Sequence, residues 1–214
     1  MPDTSISLDD AVRLTRTGDI WLFRGRTLAD RFIRVTTNAP VNHVGMAVVL
    51  EDLPPLMWHA ELGKSLPDLW SGKVQRGVQL HDLRDATLTW AHRYGQDAWL
   101  RQLDAWVTSD MEDAVLETIA RLDGLAFPTR RGLFAGWLRG RFPVGAAGER
   151  EQQRETAYCA EVLAITYQEM GLLTKERLPS YYDPGRFWSG DDLELLRGAR
   201  LSTEIAVEIP ELRP

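Results

Sequence analysis

Apolar and polar positions along this chain follow two different periods, and the change from one to the other divides it. In the first part, short runs with alternating or continuous apolar character predict strands: "IWLF" at 20–23, "VNHVGMAVVLED" at 41–52, "LMWHAEL" at 56–62, "VQLHDL" at 78–83 and "ATLTWAHRY" at 86–94. Two short helices are predicted beside them, one at the start of "LDDAVRLTRTGDIWLFRG" that breaks at Gly18-Asp19 and one over "RTLADRFIRVTT" at 26–37. After Gly95 apolar residues recur every three or four positions, which predicts helices over "QDAWLRQLDAWV" at 96–107 and "MEDAVLETIARL" at 111–122. An Arg- and Gly-rich connection at 127–155 has the make-up of a surface flap. A third helix is predicted over 156–173, with Thr156 able to cap it and Gly171 able to end it. "STEIAVEIPEL" then alternates like a closing strand.

Strands first, helices next and a strand last predict an α+β fold, an antiparallel meander covered by a helical layer. At 214 residues the chain suits a single domain, 1–214, with one core. Hydrophobic residues at 44% and charged residues at 26% are the balance of an ordinary globular protein. A net charge of -6 argues against nucleic acid as a partner, because phosphate backbones select basic surfaces. The N-terminal residues lack a basic start followed by an apolar run, and no segment reaches the length of a transmembrane helix, so a cytoplasmic location is expected. The 8 tryptophans are candidates to fill the core or line a cleft.

The chemistry centres on Cys159, the single cysteine. Placed one turn into a helix starting near Thr156, its thiol would meet unpaired N–H groups and the positive end of the helix dipole, both of which favour the thiolate. The competing reading is a buried cysteine acting as a small hydrophobe. A thiol nucleophile needs an imidazole as its base. Of the 4 histidines, His43 lies at a strand mouth and His59 on the next strand, where pairing of the two strands would set the rings side by side. Alternation puts Glu61 on the face of His59. His81 and His92 lack such a setting. A Cys-His-His zinc site would ordinarily show a close pair of ligands in sequence, and these residues do not, so neither a metal nor another cofactor is expected.

The segments "GDIWLF", "NHVGMAVV", "MWHAE", "RGVQLHDL", "YCAEVLAITYQEMGLL" and "DPGRF", in that order, resemble the circularly permuted branch of the NlpC-type papain-like cysteine peptidase superfamily. The nearest likeness is to its YiiX-like group, related to lecithin:retinol acyltransferase-like proteins. In that branch, as here, the histidine strand precedes the cysteine helix. The resemblance implies a permuted papain-like fold with Cys159 as nucleophile, His43 as general base and His59 as the third polar residue, with Glu61 the alternative for that role. It also implies that Tyr158 lines the acyl site. The expected activity is that of a cysteine hydrolase cleaving a peptide, isopeptide or small amide through an acyl-enzyme on Cys159. A lipid acyltransferase or thioesterase, or a non-catalytic binding module on the same scaffold, is the alternative.

Overall fold

The computed structural model describes residues 5–25, 40–61, 63, 65–125, 147–191 and 193–211; for 147–157 and 191 it describes the backbone. Its centre is a seven-stranded sheet in the order β1-β9-β6-β2-β3-β4-β5. The strands are β1 (Ser5–Ser7), β2 (Ile20–Gly25), β3 (His43–Val48), β4 (Leu56–Glu61), β5 (Gly77–Asp82), β6 (Gln96–Arg101) and β9 (Ile205–Glu208). β7 (Leu103–Asp104) and β8 (Arg200–Leu201) form a separate pair. β2 to β5 make the antiparallel meander predicted from their alternation, and β1 joins β9 in parallel.

Among the described residues four α-helices accompany the sheet: α1 (Leu8–Leu14), α2 (Leu83–Tyr94), α3 (Ser109–Leu122) and α4 (Ala147–Glu169). The protein is therefore of the α+β class. Two predicted elements are exchanged. Residues 86–94, expected as a strand, belong to α2, because Asp82 caps its start by accepting from Asp85 N–H and Gly95, at φ 63°, closes it. Residues 96–104, expected as helix, form β6 and β7, because pairing of β6 with β2 from Ile20↔Arg101 to Gly25↔Gln96 overrides the local helical spacing. The predicted helix at 26–37 and most of the expected flap at 127–155 lie outside the described residues.

Side-chain alternation gives the sheet two faces of different character. On one face Ile20, Leu22, Val44, Met46, Trp58 and Leu80 form a core with Cys159, Leu163 and Tyr167 of α4. Two buried hydrogen bonds fix α4 there: Trp58 Nε1 donates to Thr166 Oγ1 at 3.1 Å, and Tyr167 Oη donates to the Gly18 carbonyl at 2.5 Å. On the other face Trp21, Phe23, Ala47 and Met57 pack against Leu8 of α1 and against Leu83 and Trp90 of α2.

Both ends of the meander are tied by buried carboxylates. Asp19, just before β2, accepts from Leu103 N–H and Arg16 N–H, each at 2.8 Å, and burial pushes its carboxyl up to about 6. Asp68 accepts from Leu80 N–H at 3.0 Å on the outer edge of β5, where Leu69 N–H also donates to the Leu80 carbonyl. Further along that edge Val78 N–H donates to the Leu125 carbonyl, and the Val78 carbonyl accepts from Gly124 N–H.

Candidate functional site

Three imidazoles lie in a row across β3, β4 and β5 on the α2 face of the sheet. His43 Nε2 is 3.3 Å from His59 Nδ1, and His59 Nε2 is 3.0 Å from His81 Nδ1. The strand register produces this row. Pairing of Met57 with His81 and of His59 with Gln79 sets His59 and His81 on one diagonal of a shared face, and Glu61 follows two residues after His59. Gly45 makes the close approach possible from β3: a Cβ there would stand 2.3 Å from Met57 Sδ and 3.5 Å from His59 Cβ.

Trp90 of α2 forms the opposing wall. Its indole stands edge-on to His43 and His59, with ring centroids 4.9 and 4.7 Å away, and to Phe23 at 4.7 Å. Its Nε1 donates to Glu61 Oε2 at 2.9 Å, while Ser65 Oγ donates to Glu61 Oε1. His43, His59, Glu61 and His81 are all buried.

Enclosure decides their charge. Burial pulls His43 down to about 3, with the neighbouring His81 adding to the effect. His59 falls well below the usual histidine range through burial and then through His81 and His43. His81 drops to about 4 through burial, a fall limited by the Asp68 carboxylate and the Leu66 carbonyl. Burial raises Glu61, against the hydrogen bonds from Ser65 and Trp90. At neutral pH the row is thus uncharged, and each ring has one N–H and one lone pair. His81 Nε2 makes no hydrogen bond of normal geometry despite its burial.

One donor atom from each of His59, Glu61 and His81 lies within 4.8 Å of the other two, so a small inward adjustment of the side chains would bring all three round one ion. If His59 ligates through Nε2, its Nδ1–H is left to donate to His43 Nε2, the outer hydrogen bond that fixes the tautomer of a ligating histidine.

The expected catalytic set is only partly assembled. His43 and His59 stand side by side as strand pairing predicted, and Glu61 shares their face. Cys159 is on the other face of the sheet, fully buried among the α4 core residues. The helix also starts at Ala147 rather than near Thr156, so Cys159 sits about three turns from the N-terminal N–H groups that would favour its thiolate. Tyr158 is half-buried on the same helix, with its hydroxyl pKa raised by burial and then by Glu161. From the sequence His81 was set aside for want of a setting, and Trp90 stood only among the tryptophans named as core or cleft candidates. The parity of "VQLHDL" carried the signal for His81, since it sets His81 two residues from Gln79, the cross-strand partner of His59.

These features define an α+β protein with a buried imidazole and carboxylate cluster on one face of an extended meander. No family model matches the chain, and no curated protein matches it. Among solved structures it is similar to the metalloprotein yiiX from Escherichia coli O157:H7, at 18% identity and a TM-score of 0.46, over 73% of this chain and 66% of that one. The residues of this chain, not that distant likeness, carry the functional reading.

Proposed function

We propose that the chain is a metal-binding protein, taking a divalent ion of the zinc type between His59, Glu61 and His81. The observation that carries this reading is the convergence of the three buried donors within 4.8 Å. Two neutral imidazoles and one carboxylate match the borderline character of zinc better than the all-oxygen preference of magnesium or calcium. The rings are already in the deprotonated state that ligation needs. His43 orients His59, while Trp90 and Ser65 hold Glu61. A bound ion would supply Lewis-acid charge, and two histidines with one glutamate is a ligand set that keeps a fourth position for water or substrate.

Titration of chelator-treated protein with zinc by calorimetry, with the bound metal counted by mass spectrometry, tests this. One ion per chain is expected, with binding lost in His59→Ala, Glu61→Gln and His81→Ala at unchanged far-UV circular dichroism. A protein that takes up no zinc, or the same amount in all three variants, refutes the proposal.

The pairing of His43 with His59 at 3.3 Å favours a second reading, the cysteine amidase of permuted papain-like type. In it Cys159 is the nucleophile, His43 its base and His59 the orienting group, acting on a peptide or small amide or on a lipid acyl chain. This reading requires an accessible, activated thiol within reach of His43, whereas Cys159 is buried on the opposite face of the sheet, so it ranks behind metal binding. Iodoacetamide would then alkylate Cys159 at pH 6 faster than a free thiol, and Cys159→Ala would abolish acyl-adduct formation. Labelling that waits for unfolding rejects it.

A further inference from the structure

The loop between β4 and β5 displays apolar side chains that a globular surface ordinarily hides. Leu69 is 53% exposed, Trp70 71% and Val74 60%. They are held out by a built turn. Asp68, itself fully buried, accepts from Leu80 N–H through Oδ1 and from Ser71 N–H through Oδ2 at 2.6 Å. Its carbonyl accepts from Gly72 N–H at 2.8 Å, and its N–H donates to the Lys73 carbonyl at 3.0 Å. Gly72, at φ +68°, turns the tip with open space around it. Between residues 65 and 76 the only exposed charged side chains are Lys73 and Arg76, in a chain whose net charge is -6.

We propose that residues 69–76 are a membrane-docking loop that seats on anionic lipid. Leucine, valine and an indole at a turn tip enter the boundary between headgroups and acyl chains, where tryptophan keeps its ring in apolar surroundings and its N–H in a wet layer. Lys73, beside that tip, meets the negative headgroups.

The test is co-sedimentation of the full chain with vesicles of phosphatidylcholine, with and without phosphatidylglycerol. Binding is expected on the anionic vesicles and much less on the neutral ones. Trp70→Ser combined with Val74→Ser should abolish it, and Lys73→Glu should weaken it by about fivefold or more, with thermal unfolding unchanged. Absence of binding to anionic vesicles, equal binding to both compositions, or full binding by the double variant would overturn the proposal. Retention of the loop by a protein partner without vesicle binding would do the same. Chelated and zinc-loaded protein should behave alike, so this outcome does not depend on the metal site.

Discussion

His43 is the residue on which the division of labour in the imidazole row turns. Its nearest described hydrogen-bonding neighbour is His59, so its role towards a metal is to hold a ligand rather than to be one. His43→Ala should therefore leave the stoichiometry at one ion and raise the zinc dissociation constant 10–100-fold, on the order seen for outer-shell partners. Unchanged affinity by calorimetry would remove His43 from the site. The row also predicts an acid response in metal-free protein. His81, at about 4 against an ordinary 6.5, binds its proton in the unfolded chain before it does so in the folded one. Its contribution is thus complete above pH 6.5 and lost as pH falls towards 4. Asp19, raised to about 6, works in the opposite sense: its contribution holds at low pH and is lost as pH rises through 6. Subtracting the urea stability of His81→Gln from that of the wild type cancels Asp19, and the difference should shrink by up to about 1.4 kcal/mol per pH unit below 6.5. A flat difference between pH 7 and pH 5 would contradict the neutral row.

At the scale of elements, the sequence was most legible where alternation and tertiary pairing agreed. β2, β3, β4 and β5 were all visible as short apolar runs, and alternation within "LMWHAEL" correctly placed Glu61 on the face of His59. Legibility failed where caps or partners outweighed composition. "ATLTWAHRY" is rich in threonine and aromatics, yet Leu83, Ala86, Thr87 and Trp90 have the three- and four-residue spacing of a buried helix face once Asp82 is recognised as its cap. That error put Trp90 on a strand and so missed its place as one wall of the site. Gly45 shows the reverse, a signal present in the sequence whose meaning depends on its neighbour strand. Gly45→Ala would press a methyl into Met57 and shift β4 against β3. Its expected cost is about 1–3 kcal/mol in urea unfolding, accompanied by weaker zinc binding because His59 moves with the strand. A variant as stable as the wild type would mean that Met57 simply swings aside.

At the scale of the molecule, one sheet separates two apolar cores; the lone thiol lies in the first, and the imidazole row borders the second. Cys159 therefore serves as a reporter of opening. If labelling needs the α4 layer to lift, zinc at 100 times its dissociation constant should slow labelling on the order of 100-fold, because the ion binds only the closed form. Unaltered labelling kinetics would show that the two faces open independently. The sequence could not reveal this separation, since parity says which residues share a face of one strand and not which face a distant helix will cover.

The outer edge of β5 has a consequence for behaviour in concentrated solution. An open row of main-chain donors and acceptors invites a strand from a neighbouring molecule, the first step of fibril growth. Asp68 and the backbone of Leu69, Gly124 and Leu125 occupy those groups at Val78 and Leu80. Replacing Asp68→Ala strips the partner from Leu80 N–H, and such a variant should aggregate on standing and bind thioflavin while the wild type stays monodisperse by light scattering.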